Sequence, residues 1–302
     1  GGVPYTKVVA LTGTTAVAQL VQIVSVGTLN GENFRSVTIT INQMAAPSAK
    51  VDRTLIFHFF GTSLGRYFTT NIEDAKTAIA NGALGTNNRV VCIKQSSATN
   101  GTIFELCYNP DDKSVIERHI KDFTLSSSLV STADVGAIIA EAAEAAPANS
   151  YAMVFAGHGT GWIPRVLAAS SVSTLALGYD AWIPAEGAEV TRNFGESNVK
   201  LDISEIAESI EYSGIELDYI LFDACFMSNI EAVYDLRNSA KYIIASPCEI
   251  MGKGFPYHRT LPHLFGESYN LRSAAESYYL FYRDEYNGSA RCGSCLSTAN
   301  LL

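Results

Sequence analysis

Hydrophobic and polar residues are patterned in two different ways along this chain, and the change falls near residue 50. Before it, YTKVVA (5–10), AVAQLVQIVSV (16–26) and RSVTITI (35–41) are β-branched runs parted by glycine and by an Asn30-Gly31 pair. Asn-Gly supplies the positive φ that tight hairpins need, so this part predicts strands joined by turns. MAAPSAK (44–50) reads as a linker. Residues 1–50 are therefore expected to be a short N-terminal β segment, the end of a sandwich-like domain, leading into a main body at 51–302.

From residue 54 the pattern becomes strand, helix, strand. LIFHFF (55–60) precedes a helical stretch with Asn71 as candidate N-cap, Glu73 and Asp74 in its first turn and Gly82 after its last. RVVCIK (89–94) and TIFELCY (102–108) read as strands, and ADVGAIIAEAAEAA (133–146) as a helix stopped by Pro147. YAMVFA (151–156), DYILFDA (218–224) and KYIIAS (241–246) are short continuous apolar runs, the pattern of strands covered by helices on both faces. Capping boxes at Asp202-x-x-Glu205 and Ser228-x-x-Glu231 open two further helices, the first ending near Gly214. The alternation predicts an α/β/α sandwich with a mostly parallel central sheet.

Composition narrows the function. With 302 residues, 47% of them hydrophobic, the chain can bury a continuous core. Against 30 acidic residues stand 21 basic ones, a net charge of −9, and no Lys/Arg stripe interleaved with aromatics is available to follow a phosphate backbone. Nucleic acid is not an expected partner. The apolar runs are much shorter than the roughly 18–20 residues a membrane-spanning helix needs. No basic and then apolar leader opens the sequence, so any export signal is expected to have been removed already or never to have been included in it. Six cysteines are too few and too scattered for a disulfide framework. The Cys292-Gly-Ser-Cys295 spacing suits a zinc or redox pair, but no second pair lies near it, and His258 and His263 sit on the wrong pattern. No metal ligands are assigned.

In open α/β sheets the binding crevice lies beyond the carboxyl ends of the strands. Just after 151–156 comes Gly157-His158-Gly159-Thr160-Gly161, and the run 219–222 ends in Asp223-Ala224-Cys225. Taken alone, Cys225 is more simply a buried small hydrophobe and His158 an ordinary histidine in a glycine turn. Together, each straight after a buried strand, they suggest a nucleophile and its base. A thiol near pKa 8.5 needs a histidine or a helix N-terminus to become a thiolate, and Cys225 has both within reach. The flanking glycines let the backbone approach an oxyanion, with Gly159 N–H and Cys225 N–H as the donors. The other histidines lack this setting: His58 lies in an apolar run, His119 in a charged stretch, and His258 and His263 in a Pro-containing segment. Cys248 also follows a strand but has no capped helix after it. Asp223, two residues before Cys225, either shares the crevice face with it or hydrogen-bonds a neighbouring N–H; spacing does not separate the two.

The stretches FAGHGTGWIP (155–164), TRNFG (191–195), YILFDACFMSNIEAVYDLR (219–237), YIIASPCEI (242–250) and GFPY (254–257) resemble the clostripain family of caspase-like cysteine endopeptidases. The resemblance extends from about residue 54 to about 290. It implies a caspase-like fold and a His158–Cys225 dyad with no obligatory third member. It also implies polypeptide substrates cut after Arg or Lys, with Asp223 helping to form the pocket for that basic side chain. Export, frequent activation by cleavage in the loop between the dyad residues, and in some members a calcium requirement are implied as well; the chain is expected to be a monomer or such a cleaved two-chain form. Two features depart from the pattern. Residues 166–191 hold no Lys or Arg, so self-cleavage after a basic residue is confined to Arg165, Arg192 or Lys200. No D-x-[DN]-x-[DN]-G calcium loop occurs, and Asn109-Pro110-Asp111-Asp112 reads as a solvated turn. The sequence itself requires no cofactor. Two rivals remain: a scaffold that keeps the fold without turnover, and a hydrolase of small amides or thioesters using the same dyad.

Overall fold

The structure, a computed structural model, describes residues 19–23, 28–29, 32–33, 39–43, 50–125, 131–161, 194–196, 199–265, 269–287 and 297–300. The chain divides into two compact units, Gly1–Ala49 and Lys50–Leu302. In the first, β1 (Gln19–Ile23) pairs antiparallel with β4 (Ile39–Gln43), and β2 (Thr28–Leu29) with β3 (Glu32–Asn33). Leu29 opposes Glu32, the register that a two-residue Asn-Gly connection demands. The expected strand at 5–10 and residues 44–49 of the expected linker lie outside the described residues.

The second unit runs β5 (Val51–Phe59), α1 (Gly65–Ala80), β6 (Asn88–Gln95), β7 (Asn100–Tyr108), β8 (Val115–Thr124), α2 (Thr132–Ala145) and β9 (Ala148–Ala156). It continues with β10 (Phe194–Glu196), β11 (Val199–Leu201), α3 (Ile203–Ser213), β12 (Leu217–Asp223), α4 (Ile230–Asp235) and β13 (Ala240–Ala245). The last elements are α5 (Tyr257–Thr260), a 3₁₀ turn at Leu261–His263, α6 (Leu271–Asp284) and β14 (Ser297–Asn300). Eight of these strands form one sheet in the order β14-β13-β12-β9-β5-β6-β7-β8. The pairs from β13 through β12, β9 and β5 to β6 are parallel; β7, β8 and β14 join antiparallel at the edges.

Strict alternation on the central strands produces the layers. Leu55, Phe57 and Phe59 of β5, Val154 of β9 and Tyr219 and Leu221 of β12 point to one face, where α1, α5 and α6 cover them. Ile56, Met153, Phe155, Ile220 and Phe222 point to the other, beneath α2 and α3. Both faces being buried explains why these strands read as unbroken apolar runs. The expected α/β/α sandwich is the observed one.

Local departures have physical reasons. Helix α1 starts at Gly65, not after Asn71, because its apolar stripe Phe68, Ile72, Ala75, Ile79 begins a turn earlier. Asn71 is instead 2% exposed, and its Nδ2 donates to the carbonyls of Lys253 (2.9 Å) and Phe255 (3.4 Å). Helix α4 is capped by Asn229 rather than Ser228: the Asn229 Oδ1 accepts from Ala232 N–H at 2.9 Å. Helix α3 has its Asp202–Glu205 capping box and ends on Gly214 at φ 71°, as the sequence indicates. Strand β8 was not anticipated, because VIERHIKDFT carries polar residues at the exposed positions of an edge strand. Asn109 and Asp112 close the exposed β7–β8 turn by accepting from Asp111 and Ser114 N–H. No helix among the described residues is long and apolar enough to cross a membrane.

Because Asn71 ties α1 to the segment after β13 from a buried position, Asn71→Ala should destabilise the fold by about 1–3 kcal/mol, the range for leaving buried polar groups unpaired. Urea unfolding checks this; an unchanged midpoint would contradict the bridging role.

Candidate active site

Strands β9 and β12 are parallel neighbours with Val154 opposite Leu221, Phe155 opposite Phe222 and Ala156 opposite Asp223. The two strands therefore end in the same row. Gly157 N–H donates to the Asp223 carbonyl at 3.2 Å, so the ladder continues one step beyond them. His158 and Cys225 each follow the matched Ala156–Asp223 pair by two residues. Gly159 then lies directly against the cysteine turn: a Cβ there would come 2.5 Å from the Cys225 carbonyl oxygen and 3.2 Å from Met227 Sδ. Only glycine lets the two loops approach so closely.

Cys225 is half-buried, and Ile250 N–H points at its sulfur with an N···Sγ distance of 3.3 Å. The Sγ also lies 3.7 Å from the Ile250 carbonyl, to which the thiol donates, so both backbone groups of Ile250 meet the sulfur. The turn carrying Cys225 is fastened to the chain after β13, with Phe226 N–H donating to Cys248 O and Ser228 N–H to Ser246 O, both at 3.1 Å. Phe226 adopts φ 60°, a left-handed conformation costly for a bulky residue, immediately after the cysteine. Asn229, the α4 cap, also donates to Phe226 O at 2.6 Å and holds that turn.

His158 is exposed, and its Nε2 lies 3.0 Å from Ser63 Oγ. Ser63 belongs to the chain leaving β5, whose Phe59 stands opposite Ala156 in parallel register. Sequence reasoning missed this serine, although the strand-end rule that picked out His158 and Cys225 applies equally to the GTS that follows LIFHFF. The His158 carbonyl accepts from Gly195 N–H at 2.9 Å, so both sides of the histidine loop are tethered.

Asp223 ends β12 in a buried position, 6% exposed. Its Oδ2 accepts from Tyr257 OH at 2.8 Å and from Phe255 N–H at 3.2 Å, while Oδ1 has no hydrogen-bond partner among the described residues. Burial pushes the carboxyl up to about 6, against the two hydrogen bonds that hold it down. Gly254, at φ 68°, lies so close that any Cβ would overlap the carboxylate. The acid thus does hydrogen-bond a backbone N–H, one of the two readings the sequence left open, and its Oδ1 is buried.

The remaining candidates do not gather here. His58 is 2% exposed in the core, edge-on to Phe60, and its burial lowers its pKa to about 3. His119 lies on β8, 3.1 Å from Asp122, and His258 lies 3.2 Å from Asp74. Cys248 is exposed; Cys92 and Cys107 are buried, with burial raising both thiols. Lys200 is buried within β11, whereas Arg165, Arg192 and the Cys292–Cys295 pair lie outside the described residues. Among the described residues no group of three or more His, Cys, Asp or Glu side chains could hold a metal ion.

Comparison with known proteins follows the same line. The clostripain family profile matches residues 61–301. No curated protein matches. Among solved structures, a secreted C11 cysteine protease of Bacteroides thetaiotaomicron called iotapain is 26% identical, with a TM-score of 0.69 over 84% of this chain and 67% of that one. A secreted C11 cysteine protease of the same organism, bound to an irreversible peptide inhibitor, is 27% identical, with a TM-score of 0.64 over 83% of this chain and 66% of that one. An inactive zymogen C11 protease of Parabacteroides distasonis is 25% identical, with a TM-score of 0.65 over 84% and 63%. The chain spans about two thirds of the length of these structures.

The Asp223 carboxyl titrates higher in the folded chain than in the unfolded one, so the folded state holds the extra proton between about pH 4 and 6. Stability is greatest below that window, falls as the pH rises through it, and is level above it. Asp223→Asn removes the buried charge and should raise stability at pH 8 by on the order of 2–3 kcal/mol, with no gain at pH 4. Denaturant titrations at both pH values check this. An Asp223→Asn chain less stable at pH 8 would show the carboxylate to be fully compensated by its hydrogen bonds.

Proposed function

This chain belongs to the clostripain family of cysteine endopeptidases, and from that premise we propose that it hydrolyses polypeptides after Arg or Lys, with Cys225 as nucleophile and His158 as its acid–base partner. The observation that carries this reading is the β9–β12 register. It delivers both side chains to one edge of the sheet and seats Gly159 on the Cys225 carbonyl.

In this reaction the Cys225 thiolate attacks the substrate carbonyl carbon and forms the C–S bond. Negative charge moves to the carbonyl oxygen, which the N–H groups of Gly159 and Cys225 receive. Ser63 engages His158 Nε2 and leaves Nδ1 for the proton that passes from thiol to leaving amine. The C–N bond breaks, the amine departs, and water deprotonated by His158 hydrolyses the thioester and restores the thiol. Ser63 is a positioning residue here, fixing the ring without touching substrate.

Asp223 supplies the preference for a basic residue before the cut. Its free Oδ1 accepts a guanidinium or ammonium, and pairing brings the carboxyl back toward its ordinary range. Gly254 and Phe255 close over the carboxylate, so entry of the basic side chain shifts that segment outward. Self-cleavage, where it occurs, falls after Arg165 or Arg192 in preference to Lys200, which is shielded in a paired strand. The described residues offer no calcium cluster, and no step is assigned to that ion. Export is proposed because structural neighbours are secreted proteases.

Cys225→Ala or His158→Ala should abolish cleavage of an Arg peptide while leaving the unfolding midpoint near that of the parent chain. Full turnover by either variant would exclude the dyad, and with it the peptidase mechanism. A silent scaffold predicts no turnover in any version.

Asp223→Asn should lower kcat/KM for Arg substrates by roughly 2–4 kcal/mol in transition-state binding, and far less for Leu or Gln substrates. For the parent chain, kcat/KM on Arg substrates should fall as the pH drops through about 6, because the proton neutralises Asp223. Steady-state kinetics on matched Arg, Lys, Gln and Leu peptides decide this: an equal loss across all four means that Asp223 supports the Cys225 turn and does not read substrate.

A further inference from the structure

The strand register sets out a row of residues across the carboxyl edge of the sheet: Asp223 of β12 opposite Ala156 of β9, Ala156 opposite Phe59 of β5, and Phe59 opposite Lys94 of β6. Parallel neighbours in one row point to the same face, so Lys94 shares with Asp223 the face covered by α1, α5 and α6. Three strand spacings separate them, roughly 14 Å. Lys94 borders a cavity of about 490 Å³ together with Thr62, Gly65, Ser96, Thr102 and Phe104. Buried Phe104 lends it an apolar wall, and it adjoins the Ser63 loop that engages His158.

Catalysis gives this cavity a direction. Asp223, at the end of β12 beside its partners Phe255 and Tyr257, receives the residue before the cut. His158 must reach the leaving amine, so the residues after the cut depart on its side of Cys225, across the ends of β9 and β5 toward β6. In an extended peptide the second residue after the cut points the same way as the one before it, and lies about 7 Å further along. Its side chain and the lysine stem cover the remaining distance.

Lys94 is the basic side chain among the described residues that line the cavity. Glu117 also borders it, but its carboxylate is bonded to Lys76 Nζ at 2.7 Å, and Lys76 also bonds Glu73. Among the described residues no carboxylate forms a salt bridge with Lys94, whose Nζ lies 3.4 Å from Thr69 Oγ1.

We propose that this cavity is the subsite for the second residue after the scissile bond, and that Lys94 makes it select an acidic side chain there. The proposal rests on the peptidase reading above. Substrates would then carry a base and an acid two positions apart in sequence, with one residue between them, matched by Asp223 and Lys94 in one row of the sheet.

Internally quenched peptides identical except for Glu, Gln or Lys at this position, with Arg before the cut, test the subsite. An arginine aminocoumarin amide, which has no residues after the cut, serves as the control for the chemistry. In the parent chain kcat/KM should fall about fivefold from Glu to Gln and again from Gln to Lys, the span of a partly exposed ion pair. Lys94→Met should level the series and Lys94→Glu should invert it, with coumarin release unchanged in both. A level series in the parent, or one that survives Lys94→Met, overturns the subsite while coumarin release continues. Absence of coumarin release from the parent chain overturns the peptidase reading and the subsite with it.

Discussion

The register between β9 and β12 is the constraint on which the site depends. Pairing Ala156 with Asp223 ends both strands in one row and brings the His158 and Cys225 loops into contact. A slip of one residue would turn Asp223 to the opposite face and exchange Leu221 with Phe222 across the sheet. The core resists this. Phe155, Phe222 and Phe194 pack together on one side with ring centroids 5.6–6.1 Å apart, while Val154 and Leu221 are buried on the other. Buried packing thus fixes the position of exposed chemistry: a helix-covered sheet sets the strand ends, and the strand ends place the loops.

Around that frame the site keeps several locally unfavourable features. Phe226 is left-handed, Asp223 is buried with one oxygen unpaired, and two close backbone approaches require glycine at 159 and 254. Each is opposed by fixed contacts from elsewhere: Cys248 and Asn229 on the Phe226 turn, and Tyr257 and Phe255 on the carboxylate. Tyr282 OH donates to Gly254 O at 2.7 Å and Asn71 to Phe255 O, so α6 and α1 both hold the segment that covers Asp223. A carboxylate whose pKa is raised by burial weakens the fold at neutral pH.

The layers and the dyad candidates were legible because strands buried on both faces leave continuous apolar runs, and chemistry follows where such runs stop. What the sequence could not show was adjacency. Ser63 is unremarkable until β5 is known to lie beside β9, and Lys94 is one lysine among many until its row across the sheet is known. Tyr257 reaches Asp223 only through the packing of α5. Strand β8 was hidden by the charges that protect a sheet edge, and Asn71 looked like a cap because buried asparagine is rare in a helix interior. The proposed preference for a basic residue comes from resemblance, and the Asp223 oxygen without a hydrogen-bond partner among the described residues is the feature it would use.

The central claim is that Cys225, activated beside His158, forms a covalent acyl-enzyme. Trapping it with an arginyl chloromethyl ketone, followed by intact-mass measurement and peptide mapping, tests that most directly. The account predicts one adduct per chain, on the Cys225 sulfur, formed far faster in the parent than in the His158→Ala chain. An adduct on exposed Cys248, or labelling indifferent to His158, would contradict it.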